Sequence, residues 1–176
     1  MTNRSDLELL ELFQTGDESA FNHLVLRYRE RVYWVARRFI NDHDGADDVT
    51  QDVFCKAYES LPDFRGESSF YTWLYRITVN IALNNVRRQK LREFFRIDEM
   101  FEIEDKSAVS PDVAVEKKEE RRLIEEAITR LPEKQKSVFV LRYYEELPYE
   151  DISTILKTSV GGLKANYFHA VKKIQE

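Results

Sequence analysis

Apolar residues step along most of this chain by threes and fours. Phe21, Leu24, Val25, Tyr28, Val32, Val35 and Phe39 form one such stripe, the signature of an amphipathic helix. A shorter helix is predicted before it, from Asp6 to Gln14, ended by Gly16, with Asp17 placed to cap the next. Residues 41–45, Asn-Asp-His-Asp-Gly, read as a turn. A third helix follows from about Ala46 to Ser60, with Val49, Val53, Ala57 and Leu61 on one side. Residues 62–67 form a loop. Ser68 or Ser69 caps a long fourth helix, roughly Phe70 to Arg92, striped by Phe70, Trp73, Leu74, Ile77 and Ile81.

The period then fails. From about Arg96 to Val115 the chain is acidic, carries Ser107, Ser110 and Pro111, and reads as a flexible linker. Helical spacing resumes with Leu123, Ile124, Ala127, Ile128 and Leu131. Pro132 and Pro148 each suit the first turn of a further helix, and a last helix begins near Ser159. No strand of convincing length emerges. The expected fold is all-α: an N-terminal four-helix domain over residues 1–95, a linker over 96–115, and a C-terminal domain over 116–176.

Composition narrows the class. The chain has 176 residues, a charged fraction of 34% and a net charge of −5. No apolar run reaches the roughly 20 residues that span a bilayer, and no apolar segment follows the N-terminus as in a signal peptide. A cytoplasmic protein without membrane insertion is expected. One cysteine and three scattered histidines leave no metal-ligand spacing, so neither metal nor cofactor is expected. Charge is segregated: Arg27, Arg29, Arg31, Arg37 and Arg38 cluster, as do Arg76, Arg87, Arg88, Lys90, Arg92 and Arg96, while acid dominates from Asp98 to Glu126. Such a chain can bind a polyanion on one surface and a basic partner on another.

The tightest local pattern runs from Tyr149 to Lys164. A short helix, a three-to-four-residue turn and a second helix make a helix-turn-helix. Ile152, Ile155 and Leu156 would face Val160, Leu163, Tyr167, Ala170 and Ile174. Gly162, Lys164, Ala165, Asn166, Phe168, His169 and Lys172 would form the outer face. Ser159 can cap the second helix. Glycine costs about 1 kcal/mol inside a helix, so Gly161 and Gly162 imply a steric reason, such as close approach of backbone to phosphate. Simple packing of two amphipathic helices is the plainer alternative.

Here the residues resemble the extracytoplasmic-function sigma factors of the sigma-70 family. Residues 159–164, Ser-Val-Gly-Gly-Leu-Lys, with Ala170 and Lys172-Lys173-Ile174, resemble the family's closing helix. Residues 17–21 with Tyr28 and Val32-Tyr33 resemble its opening helices. Residues 46–58 look like its polymerase-binding helix, and residues 64–77 with Asn80 like its promoter-opening segment. Residues 131–135, Leu-Pro-Glu-Lys-Gln, resemble the entry to its C-terminal domain. The resemblance implies a promoter-specificity subunit with no enzymatic activity of its own. Its N-terminal domain would bind core RNA polymerase, at the clamp coiled coil, and the minus-ten element. Its C-terminal domain would bind the minus-thirty-five element. Many members are held inactive by an anti-sigma factor, often membrane-bound.

Asp47, Asp48, Gln51 and Asp52 share one helix face. That face is either merely solvated or, as the resemblance implies, the polymerase dock. Phe64, Arg65, Ser68 and Ser69 suit capture of single-stranded bases by stacking and charge. Phe70, Trp73 and Leu74 belong with the core. Arg76, Asn80, Asn84 and Arg87, spaced by four, four and three, form a polar face that Arg88 continues. Asparagines are poor helix formers, which favours base or sugar contact there. On the last helix the minus-thirty-five candidates are Ser159, Gly162, Lys164, Asn166, His169 and Lys172. Asn166, His169 and Val171 stand where many members carry arginine, so this face is less basic than the family pattern. Phe168 is an unusual outward residue, suited to a thymine methyl or a protein partner. Cys55 is expected to be a buried or half-buried structural thiol. Two rival functions fit the residues less well. A sigma-like decoy that titrates an anti-sigma factor need not keep Arg76, Asn80, Arg87 and Arg88. A helical enzyme lacks any phosphate loop or nucleophile signature.

Overall fold

A computed structural model describes residues 4–40, 42–96 and 123–176, and among them there is no strand. The helices are α1 (Asp6–Gln14), α2 (Ser19–Phe39), α3 (His43–Ser60), α4 (Phe70–Arg96), α5 (123–129), α6 (Glu133–Phe139), α7 (Tyr149–Leu156) and α8 (Val160–Gln175). A 3₁₀ turn, Leu61–Asp63, follows α3, and a π-helical turn, Val140–Tyr144, extends α6.

Local chemistry sets the helix starts. Ser5 and Glu8 form a reciprocal capping box on α1. Asp17, expected to cap α2, sits one residue before the N-cap position, which is Glu18; its carboxylate accepts from the Ser19 backbone N–H at 3.1 Å in the turn that leads into the helix. α3 starts three residues earlier than the pattern predicts. The Asp42 carboxylate accepts from Gly45 N–H at 2.6 Å and draws His43, Asp44 and Gly45 into the helix. A Cβ at Gly45 would lie 2.9 Å from that carboxylate, so glycine is required by the cap itself. Asn41 lies outside the described residues. α4 runs on past Arg92 to Arg96.

The N-terminal half packs α2, α3 and α4 on one another, with α1 laid against α2. Leu24, Val32, Val35, Val49, Val53, Ala57 and Leu74 are almost completely buried. Each large aliphatic contributes about 1.5–3 kcal/mol. Asp6 straps α1 down by accepting from the Arg27 guanidinium and the Tyr28 hydroxyl.

The C-terminal half does not stand apart. Val138, Val140, Leu141, Leu147, Ile152, Ile155 and Leu163 join the same apolar cluster as Phe39, Leu74, Tyr75 and Val79, and α7 packs on α4. A smaller cluster of Ile128, Leu131, Phe139 and Ala170 closes α5, α6 and α8 together. The inner face of α8 is thus shared: Leu163 serves the common core, and Ala170 the smaller cluster. The expected linker lies outside the described residues, apart from Arg96. No described helix is long and apolar enough to cross a membrane.

Candidate nucleic-acid interface

Asp47, Asp48, Gln51 and Asp52 are all exposed along the outer side of α3. None of the three aspartates enters an ion pair among the described residues. Beside them a groove of about 690 Å³ lies between α2 and α3, lined by Phe21, Val25, Phe54, Cys55 and Tyr58. Cys55 is exposed on this groove, which corrects the expectation of a buried thiol. Its position falls one step off the Val49–Val53–Ala57 stripe, on the polar side of the helix.

The loop before α4 is built on aromatics. Phe64 is half-buried, its ring 5.1 Å from that of Trp73 and 6.3 Å from that of Phe70. It therefore supports the loop as much as it presents a stacking face. Ser69 caps α4, its hydroxyl accepting from Thr72 N–H at 3.1 Å. Arg65 is exposed and Ser68 half-buried. Phe64, Arg65, Ser68, Trp73 and Arg76 border a hollow of about 360 Å³. The hollow combines two arginines, a hydroxyl and aromatic walls with the carboxylates of Asp63 and Glu67, a set that can stack on a base and hydrogen-bond its edge.

The polar face of α4 continues from that hollow. Arg76 is half-buried, and Asn80, Asn84, Arg87 and Arg88 are exposed. Arg87 is not free to meet a phosphate. Its Nε and Nη2 donate to Glu133 of α6 at 3.1 and 2.5 Å. That pair raises the already high pKa of the guanidinium further. Next to it, a cleft of about 300 Å³ separates α4 from the helix-turn-helix, lined by Asn80, Arg87, Glu133, Lys157, Leu163 and Asn166.

In the helix-turn-helix, Ser159 caps α8 by accepting from Gly162 N–H at 3.3 Å. Lys157, in the turn, adopts a left-handed φ of 50°. The two glycines separate in role. A Cβ at Gly162 would crowd Ser159 Oγ and Thr158 Cγ2, both at 3.3 Å, whereas Gly161 faces open space. Gly162 thus answers to the cap, and nothing among the described residues requires glycine at Gly161. Lys164, His169 and Lys172 are exposed. Asn166 is half-buried and donates back to Gly162 O at 2.8 Å, so it faces the interdomain cleft more than the outer surface. Phe168 is 65% exposed, with its ring 5.7 Å from that of His169.

Residues 24–92 match sigma-70 region 2, and residues 121–174 match sigma-70 region 4. The chain belongs to the sigma-70 family, as a sigma factor of the extracytoplasmic-function type. It is 36% identical over 187 residues to RNA polymerase sigma-H factor of Pseudomonas aeruginosa, covering 100% of this chain and 95% of that protein. It is 38% identical over 178 residues to the ECF RNA polymerase sigma-E factor of Haemophilus influenzae, covering 97% and 94%. In fold it is similar to CnrH in complex with the cytosolic domain of CnrY, with TM-score 0.70, 23% identity, and 97% and 94% of the two chains covered. The Bartonella quintana sigma factor RpoE, in complex with the anti-sigma factor NepR, gives TM-score 0.67 at 23% identity, covering 88% and 94%. As a sigma factor, the protein directs RNA polymerase to promoters in transcription initiation.

The pattern of the sequence did not single out the residues that join the two halves: Arg38, Tyr75, Lys136, Tyr144 and Glu145. Lys136 left a trace, since it directly precedes the buried run Ser137–Leu141. Glu145 left none, because the π-helical turn breaks the period on which its face would be assigned.

Proposed function

We propose that the sigma factor divides its work among three surfaces. The exposed acidic face of α3, at Asp47, Asp48, Gln51 and Asp52, docks a basic coiled coil of the polymerase clamp, where charge pairing steers encounter and fixes orientation. The loop at Phe64–Ser69 and the polar face of α4 hold the minus-ten strand. Arg65 and Arg88 contact phosphates, Asn80 and Asn84 contact bases or sugars, and the hollow beside Trp73 takes an unstacked base. The outer face of α8 enters the major groove of the minus-thirty-five element, with Lys164, His169 and Lys172 as polar contacts and Phe168 against a thymine methyl. Bond formation belongs to the polymerase, and this chain contributes no catalytic group. An anti-sigma factor is the expected inhibitor, by extension from the similar folds seen with such partners.

The observation that carries this division is that Arg76 borders the hollow and also begins the polar face of α4 that runs through Asn80 and Asn84 to Arg88. Run-off transcription with purified core polymerase over a promoter library tests it as a whole, and initiation at a defined promoter subset is expected. The α3 assignment has its own check. Asp48→Arg with Gln51→Ala is expected to abolish retention of the sigma factor on immobilised core polymerase without changing its helical circular dichroism. Full retention would remove α3 from the docking role. A chain that starts at no promoter yet binds an anti-sigma factor tightly would instead be a decoy.

A further inference from the structure

The far end of α4 projects beyond the core it helps to build. Every residue from Arg87 to Phe95 is exposed, whereas the turn before them still buries Ala82 and half-buries Leu83 and Val86. On the projecting end stand three large apolar side chains, Leu91 at 57%, Phe94 at 71% and Phe95 at 65% exposure. The two rings meet edge to face, 5.9 Å apart at 80°, an arrangement that leaves ring surface open to solvent. A lone exposed apolar residue needs no explanation, but three on one helix face form a patch, and such patches mark contact surfaces.

The register of the patch is informative. Leu91, Phe94 and Phe95 lie seven residues past Asn84, Arg87 and Arg88 in turn. Seven residues make about two helical turns, so the apolar trio stands in line with the polar trio, about 10 Å further along α4. The face that begins at Arg76 and passes through Asn80 and Asn84 therefore does not end at Arg88. It changes there from polar to apolar. Charge frames the trio: Lys90 and Arg92 flank Leu91 on its two sides, while Glu93, two residues past Leu91, points to the opposite side of the helix. Arg88, Lys90 and Arg92 enter no ion pair among the described residues. Aromatic faces set between such cations suit a polyanion with open bases, because every base has a face on which to stack. A protein partner would have to bring an apolar surface and acids for all three cations together.

We propose that Phe94 and Phe95, seated beside Leu91, form a stacking platform for single-stranded DNA, which lengthens the strand-binding face of α4 by about three nucleotides at roughly 3.4 Å per stacked base. Lys90 and Arg92 hold the flanking phosphates. The platform adds grip without choosing a sequence, since stacking accepts any base. Its role as a continuation rests on the assignment of α4 to the minus-ten strand, whereas the stacking site stands on the exposure, register and charge of this helix end.

The test uses the full chain and a fluorescein-labelled oligothymidine of about 12 nucleotides, long enough for a site of this kind. Phe94→Ala with Phe95→Ala is expected to weaken binding by about tenfold, with helical circular dichroism unchanged. Phe94→Tyr with Phe95→Tyr keeps the aromatic faces and is expected to bind as the parent does. Equal affinity of the parent and the alanine pair would overturn the platform, and a tyrosine pair as weak as the alanine pair would overturn stacking as its basis. A benzophenone side chain installed at position 94 then reports what covers the patch, in the presence of core polymerase and the same oligothymidine. Photo-crosslinking to the strand is expected. Crosslinking only to a polymerase subunit, or only within the chain, would overturn the proposal in favour of a protein contact. Asn80→Ala with Asn84→Ala reads the α4 assignment separately: weaker binding supports the continuous face, and unchanged binding removes it while the loss in the Phe94–Phe95 pair still reports the platform.

Discussion

The two helices proposed to face DNA in this sigma factor are armed and exposed in opposite measure. α4 carries Arg76, Asn80, Asn84, Arg87 and Arg88 along one face, but its flank is walled by the helix-turn-helix and Arg87 is held by Glu133. α8 presents Lys164, Phe168, His169 and Lys172 without obstruction, yet Asn166 turns back on its own helix. Charge on a surface and access to it are thus separate properties. In this molecule the better-equipped surface is the one partly covered, and the open one is lightly charged.

The sharpest way to break that comparison is to disarm each helix in turn. Asn84→Ala with Arg88→Ala on α4 is expected to lower run-off transcription by about 100-fold, since base and phosphate contacts are lost together. Lys164→Ala with Lys172→Ala on α8 is expected to lower it by only about tenfold, with the salt slope reduced by roughly one to two. The reverse order of effects would show that the open helix is the main anchor.

The cover itself can be tuned through Lys136. Burial lowers its pKa from the ordinary 10.5 to about 8, and the nearby Lys90 adds to the shift. Below pH 8 the ammonium is charged in both folded and unfolded chains, and the full desolvation cost is present. As pH rises from 8 toward 10.5 the folded lysine loses its proton while the unfolded one keeps it, so the cost is relieved and stability rises. Lys136→Met is expected to raise stability near neutral pH by about 1–3 kcal/mol. It should also flatten the rise between pH 8 and 10.5 relative to the parent in urea unfolding. A parallel rise in both proteins would assign it to other groups.

Much of this architecture was legible in the sequence because it rests on periodicity. Within the stripe from Phe21 to Phe39 every position but the half-buried Val25 is buried, as are Val49, Val53 and Ala57. Caps were equally readable, Ser159 and Ser69 among them, because a short polar side chain beside an apolar run has few other uses. Contacts between distant segments were not readable. Tyr75 looks like a further core aromatic until its hydroxyl finds Glu145, and Glu145 looks like a surface acid until a π-helical turn carries it inward. Arg87 matched a nucleic-acid face by spacing, and only tertiary structure shows it engaged by Glu133. Cys55 was misjudged because helix spacing assigns a side and does not say how deep that side lies.

Restoring charge to α8 would narrow the gap between the two helices. Asn166→Arg with His169→Arg is expected to tighten binding to a minus-thirty-five duplex by up to about tenfold and to steepen its salt dependence by roughly one to two. Binding that tightens without a steeper salt slope would mean that the new arginines do not reach phosphates. The shallow affinity of the parent would then reflect geometry rather than missing charge.

The smallest expected effect separates the two halves most finely. Among the described residues, two non-glycine residues hold positive φ, Glu146 at 53° after the π-helical turn and Lys157 at 50° in the helix-turn-helix. The left-handed conformation costs a side-chain-bearing residue about 1–2 kcal/mol, and glycine returns part of that gain through its looser unfolded chain. Glu146→Gly and Lys157→Gly are each expected to stabilise the fold by about 0.5–1 kcal/mol in thermal unfolding. Their dependence on Glu145 should differ. If the contacts of Glu145 with Tyr75 and Arg38 impose the strain at Glu146, their removal in Glu145→Ala lets the segment relax, and the gain from Glu146→Gly disappears in that background. Lys157 belongs to a turn set by Ser159 and the start of α8, so its gain should persist. Equal gains in both backgrounds would show the strain at Glu146 to be local, and would leave Glu145 holding a loop that is bent for its own reasons.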